Sequence, residues 1–195
     1  MAVDSQKLKE LRAMTSAGML DCKKALEENG NDLEKSAEYL RKKGIVKAVK
    51  KMDREATEGG IVSYIHHNGK LGVLLQLNCE TDFVAKNEMF KELGKNIAMH
   101  IAASNPLYIT PEEVPEDLVS KERTIQKETL VKEGKPENVV EKILEGKMNK
   151  YVSEISLLKQ AYVKDPKTSI EDLLKEGISK LGENITVGKF VRYSI

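Results

Sequence analysis

The sequence predicts an α+β protein: a three-helix N-terminal module, then a core domain in which helices pack on a three-stranded antiparallel sheet and a helical hairpin protrudes. Three patterns predict it. Apolar residues recur at helical spacing through the first 44 positions. Alternating apolar runs at 61–67 and 70–79 flank Asn68-Gly69, and a third alternating run closes the chain at 185–195. Leu144, Met148, Tyr151, Ile155 and Leu158 follow one another at spacings of 4, 3, 4 and 3, the seam of two packed helices.

Asp4 caps an opening helix, with Val3 and Leu8 placed as a hydrophobic staple and Leu8, Leu11 and Met14 as its apolar face. Thr15-Ser16-Ala17-Gly18 breaks it. A second helix starts near Met19, turns Cys22, Ala25 and Leu26 inward, and stops at Asn29-Gly30. Asn31 with Glu34 has the spacing of a capping box for a third helix, which carries Leu33, Ala37 and Leu40 inward and ends at Gly44. A basic connector follows. Arg41, Lys42, Lys43, Lys47, Lys50 and Lys51 meet no acid between positions 41 and 51. Without aromatic stacking partners such a run reads as a solvated face rather than an RNA contact. The expected division is 1–54 for module and connector and 55–195 for the core.

In the core, Asn68-Gly69 suits a type I′ turn, in which both positions need φ > 0. That register sets Tyr64 opposite Val73 and Val62 opposite Leu75. Phe90, Leu93, Ile97 and Ile101 mark a helix over about 87–104, ended by Asn105-Pro106. Leu107-Tyr108-Ile109 reads as a short strand. A helical hairpin spans about 116–160, broken near Gly134-Lys135-Pro136. Thr168 with Glu171 repeats the capping-box spacing, before a helix with Ile170, Leu173, Leu174, Ile178 and Leu181 inward, closed by Gly182.

Composition narrows the function. Apolar residues make up 40% and charged residues 32%, enough for a real core under a well-solvated surface. The 32 basic and 31 acidic residues nearly cancel, which disfavours a general nucleic-acid binder. No apolar run approaches the roughly 20 residues that span a bilayer. The N-terminus lacks the basic-then-apolar order of a secretory signal. Cys22 and Cys79 lie far apart without CxxC spacing. A cytoplasmic, reducing location is expected.

Catalytic constellations are scarce. The sequence carries no phosphate-binding GxxxxGK[ST], no GxGxxG, no HExxH and no GxSxG. His66 and His67 are neighbours in a strand pattern and are expected on opposite faces, so they cannot chelate one ion. His100 stands alone on its helix. Cys79 reads as a buried thiol at a strand end. One stretch resists a packing explanation: Glu80-Thr81-Asp82-Phe83-Val84-Ala85-Lys86-Asn87, at a strand-to-helix junction. Thr81 is placed to cap, and Asp82 near the positive end of a helical turn. Local chemistry favours Phe83 packed beneath the sheet; the other reading is an aromatic wedge for a partner.

Two stretches resemble a known family. Leu8-Lys-Glu-Leu-Arg-Ala-Met-Thr-Ser-Ala-Gly-Met-Leu-Asp-Cys-Lys-Lys24, continuing to Ala25-Leu26, and Asn78-Cys-Glu-Thr-Asp-Phe-Val-Ala85 are similar to segments of elongation factor Ts, the guanine-nucleotide exchange factor for elongation factor Tu. Gly182-Glu-Asn-Ile185 and Phe190-Val-Arg192 look familial too, so the resemblance covers essentially the whole chain. It implies a ubiquitin-associated-like N-terminal module that docks on the partner's nucleotide-binding domain through Arg12, Met19 and Leu20. It implies that Thr81, Asp82, Phe83 and Val84 bind the partner and dislodge its Mg²⁺. This reverses the local preference for a buried Phe83. With one hairpin-containing subdomain the chain resembles the short bacterial form, which implies a homodimer. Neither cysteine lies near the C-terminus to bridge one. No enzymatic chemistry and no cofactor of its own is implied, since GDP and Mg²⁺ belong to the partner. No direct nucleic-acid or membrane binding is expected. The rival readings are an RNA-associated protein using the basic connector and an adaptor module without exchange activity.

Overall fold

A computed structural model describes residues 3–15, 17–134 and 136–195. Ser16 of the first expected helix break, Lys135 of the hairpin break, and Met1 and Ala2 lie outside the described residues. The chain is α+β. It has eight α-helices among the described residues and a three-stranded antiparallel sheet, and it divides into two compact units. One unit comprises residues 1–61, 76–94 and 172–188; the other comprises 62–75, 95–171 and 189–195.

The first unit holds the N-terminal helices α1 (Ser5–Thr15), α2 (Met19–Glu28) and α3 (Leu33–Val49). Asp4 Oδ1 accepts the N–H groups of Gln6 and Lys7, and Val3 and Leu8 pack against the small core, as the cap and staple require. That core is Leu11, Cys22, Ala25, Leu26 and Leu40. Met14 departs from expectation. It is 59% exposed, because the module's apolar stripe is already filled by Leu8 and Leu11. The third cap also shifts. Asp32, not Asn31, is the N-cap and accepts the Lys35 N–H at 3.0 Å. Asn31 instead takes a left-handed φ of 62°, next to Gly30 at the same value, and accepts the Asp4 N–H on its side chain.

Gly44 does not end α3, which runs on to Val49. A helix interior disfavours glycine by about 1 kcal/mol, so the residue needs a packing reason. It has one: a Cβ there would stand 3.2 Å from the Ser179 Cβ and closer still to the hydroxyl. Ser179 lies on α8 (Ile170–Leu181), and Arg41 pairs with Glu176 of the same helix. The expected connector is thus largely the last turns of α3, held against α8.

The sheet has the order β1–β2–β5, from Glu58–Ile65, Leu71–Cys79 and Ile185–Ser194. The central strand, β2, buries Val73, Leu75, Leu77 and Cys79 on one face. The turn differs from expectation. Among the described residues only Asn31 and Asn105 have positive φ outside glycine, so Asn68 is not in a type I′ turn. The Gly69 N–H donates to His66 O at 2.8 Å, which centres the turn on His67 and Asn68 and leaves the left-handed position to Gly69, at φ 68°. The His66 N–H still donates to Leu71 O, the pairing from which Tyr64 faces Val73.

The second unit contains the helical hairpin α6 (Glu116–Lys132) and α7 (Glu137–Ile155). Leu130, Val140, Leu144 and Met148 form its core, with Tyr151 at the margin. The expected seam stops short: α7 ends at Ile155, and past the helix it is Leu157 rather than Leu158 that is fully buried. Leu107–Ile109 forms a single parallel bridge, Tyr108 to Ser156, instead of a strand. Two short strands escaped the sequence reading: β3 (Ala161–Tyr162) and β4 (Asp165–Ser169), paired antiparallel. Thr168 belongs to β4, where its hydroxyl donates to Asp165, and α8 begins two residues on, at Ile170; Glu171 of that helix pairs with Lys159. No helix among the described residues is long and apolar enough to cross a membrane.

Candidate functional site

The segment that resisted a packing explanation sits in the first unit, between the end of β2 and α5 (Glu88–Ser104). It forms α4 (Asp82–Ala85), a single turn. Thr81 is its N-cap, with extended backbone and a side-chain oxygen 3.4 Å from the Val84 N–H. Thr81 and Val84 are half-buried, Asp82 is exposed, and Phe83 is 82% exposed. The expectation from local chemistry that Phe83 packs beneath the sheet is therefore wrong. Residues 73, 75, 77 and 79 already fill that face, and the turn of α4 aims position 83 at solvent. Asp82 pairs with Lys86 one turn on, at 2.6 Å, and this ammonium holds its carboxyl below the usual carboxylate range.

The junction is fixed from a distant stretch of chain. Gly182 ends α8 at φ 83°. Immediately after it, Glu183 Oε2 accepts the N–H groups of Glu80 and Thr81, at 3.2 and 3.0 Å, while Oε1 accepts the Thr81 hydroxyl at 2.7 Å. Glu80 returns a carboxylate oxygen to the Asn184 N–H at 2.6 Å. Asn184, 2% exposed, donates its side-chain amide to the carbonyls of Met52 and Arg54, and Arg54 reaches Glu80 at 3.5 Å. Cys79 donates its thiol to the Thr81 carbonyl; burial first, and the Glu183 carboxylate second, push that thiol's pKa up, which makes it a poor nucleophile. Sequence reasoning noted Gly182-Glu-Asn-Ile185 but gave Glu183 and Asn184 no task. Their bonds cross more than a hundred positions, and no local spacing records them.

The other candidate residues lie in the same unit. Arg12 is exposed on α1, and Met19 and Leu20, at the start of α2, are 44% and 76% exposed. Asp21 beside them binds Lys47 and Lys43 from α3, which hold its carboxyl below the usual range. These pairs also change the reading of the basic run. Arg41 meets Glu176, Lys42 meets Glu38, Lys43 and Lys47 meet Asp21, and Lys51 donates to the Gly182 carbonyl. The acids that the run lacks in sequence are supplied in space.

His66 and His67 do not diverge as expected. β1 ends at Ile65, the strand alternation stops there, and their rings stand 4.2 Å apart. His66 Nδ1 is bonded to the Tyr64 hydroxyl, and no group of three or more metal-binding side chains occurs among the described residues. His100 is buried in the second unit. Its Nδ1 accepts the Val163 N–H at 3.3 Å, so Nε2 carries the proton and donates to Gln160 Oε1 at 2.8 Å.

Comparison with known proteins gives a consistent result. A family model described as "Elongation factor TS" matches residues 3–195. A curated relative named "Elongation factor Ts" from Fervidobacterium nodosum is 54% identical over 195 residues, covering 100% of this chain and 99% of the relative. One of the same name from Leptospira biflexa is 53% identical over 195 residues, covering 100% and 98%. A third, from Thermosipho melanesiensis, is 52% identical over 193 residues, covering 99% and 98%.

Proposed function

The chain belongs to the elongation factor Ts family and is a translation elongation factor, and on that premise we propose that it binds elongation factor Tu carrying GDP and promotes GDP release, so that GTP can rebind. The observation that carries this reading is Phe83, a large aromatic side chain left 82% exposed on a one-turn helix beside an ionised Asp82. An exposed ring is costly to hydrate and carries a large contact area at low entropic cost, the properties of an interface anchor.

In this mechanism Phe83 inserts between helices of the partner's nucleotide-binding domain, with Thr81, Asp82 and Val84 around it. The displaced elements disturb the Mg²⁺ that joins protein to diphosphate. Loss of that ion removes the largest local charge holding GDP. The factor binds the open, metal-poor state better, so factor and GDP weaken each other reciprocally. Arg12, Met19 and Leu20 supply a second contact on the same domain. No bond in a substrate is made or broken, so the chain acts as a binding factor and not an enzyme; GDP and Mg²⁺ are the partner's. The homodimer of short family members belongs to the same proposal. Ile65, Leu74, Val191 and Tyr193, exposed along the strands, give it an apolar surface.

An RNA-binding reading of residues 41–54 loses ground, because most of those cations are already paired within the chain. The test is release of labelled GDP from elongation factor Tu. Wild-type chain should accelerate it, and Phe83→Ala should lose most of the acceleration. Equal acceleration by both would remove the wedge role; no acceleration by wild type would remove the function.

A further inference from the structure

Phe83 stands on a helix too short to hold itself. α4 has four residues and fully buries none of them, Val84 and Ala85 being only half-buried, and a single turn does not offset its own nucleation cost in water. Its geometry must be imposed from outside. The Thr81 cap is where that happens. Its hydroxyl faces the Val84 N–H on one side and donates to Glu183 on the other. Its N–H and that of Glu80 end on the same carboxylate, and its carbonyl accepts the Ala85 N–H inside the turn. One side chain from beyond α8 therefore gathers three donors at the point where α4 begins. Charge-assisted bonds of this kind are stronger than neutral ones.

We propose that Glu183 is a positioning residue for Phe83: its carboxylate sets the Thr81 cap and so fixes the direction in which α4 presents the ring to the partner. This rests on the exchange reading above. It separates two contributions. Affinity drawn from Met19 and Leu20 survives loss of Glu183, whereas the work done by the Phe83 ring does not. The carboxylate matters more than bulk here, since it is the acceptor for three donors. Glutamine, which keeps one acceptor oxygen, is an intermediate case and alanine an empty one.

The test uses the full chain as wild type, Glu183→Ala, Glu183→Gln, Phe83→Ala and the Glu183→Ala/Phe83→Ala double variant. The first arm is amide hydrogen exchange of the free chain. In Glu183→Ala the amides of Thr81, Ala85 and Lys86 should exchange on the order of tenfold faster, while those of Leu144 and Met148 in α7 do not change. Glu183→Gln should show a smaller acceleration, and it carries this arm if the alanine variant fails to fold. Wild-type protection of Ala85 and Lys86 in both variants would overturn the proposal, whatever the exchange activity. The second arm is GDP release at saturating chain. Glu183→Ala should lower the maximal rate by about tenfold with little change in half-saturating concentration, and should add nothing to Phe83→Ala. Additive losses would overturn the proposal. If wild-type chain releases no GDP, the exchange reading fails, and the hydrogen-exchange arm alone decides whether Glu183 orders α4.

Discussion

The side-chain amide of Asn184 donates to the carbonyl of Arg54 at 2.6 Å, and the Arg54 guanidinium in turn reaches Glu80, whose carboxylate accepts the Asn184 N–H. A buried amide thus closes a ring of polar contacts among three stretches of chain: the end of the N-terminal module, the end of β2 and the turn after α8. Burial makes such a network sensitive to the loss of any one member, because an unpaired group keeps its desolvation cost.

Asn184→Asp preserves shape and reverses the polarity of the contact. Two donors become acceptors facing the carbonyls of Met52 and Arg54. The expected loss is about 2–4 kcal/mol of unfolding free energy near neutral pH. Urea unfolding measures it; a midpoint equal to that of wild type would show that the ring of contacts contributes nothing to stability.

Gly59 has φ 146°, and a Cβ there would collide with the Leu77 carbonyl and lie 2.7 Å from the Asn78 Cα, both backbone atoms of β2. Backbone in a paired strand cannot step aside as a side-chain tip can. Gly59→Ala should therefore destabilise by about 2–3 kcal/mol or more, seen as a lower melting temperature. The same substitution at Gly60, where a Cβ meets nothing within 4 Å, is the control and should have little effect.

His100 links pH to stability. Burial lowers its pKa, against a smaller opposing effect of the Gln160 hydrogen bond. Protonation would also put a proton on Nδ1, which accepts the Val163 N–H. The unfolded chain, with an ordinary histidine near 6.5, binds this proton more readily than the folded one. Stability from this group is complete above about pH 6.5 and is lost as pH falls below it, with a slope of at most about 1.4 kcal/mol per pH unit. Unfolding midpoints from pH 7.5 down to 5 should fall more steeply for wild type than for His100→Gln; parallel curves would mean the imidazole does not report folding.

Met19 is half-exposed on the module, so a glutamate there costs the free chain little, within about 0.5 kcal/mol. In a complex with elongation factor Tu the same carboxylate would be buried without a partner, weakening association by about 2 kcal/mol or more. Titration calorimetry on Met19→Glu checks both halves together with a melting curve. Unchanged affinity would mean the module docks by another face.

Periodicity made much of the fold legible. The core residues of α2, α5 and α8 and the buried face of β2 follow from 3.6- and 2-residue repeats, because those repeats are properties of the local backbone. Where local rules competed, they failed in specific ways. Asn31 matched a capping-box pattern, but Asp32 is the N-cap and Asn31 sits in a left-handed turn before it. Gly44 looked like a helix stop and is a close-packing position instead. The strand β3 has only two residues, and β4, Asp-Pro-Lys-Thr-Ser, has no aliphatic or aromatic side chains to mark an alternating face.

By itself the sequence determined the family, the order of the helices and of the three sheet strands, and the two stretches proposed to meet a partner. Tertiary structure decided what those stretches can do. The neutralisation of the basic run by Asp21 and Glu176, the exposure of Phe83 and the capture of Thr81 by Glu183 had no signature in spacing. The reason is physical. A helix or strand pattern is written by neighbours a few residues apart, whereas burial and hydrogen-bond satisfaction depend on whatever the fold brings alongside, here from as far as about a hundred residues away.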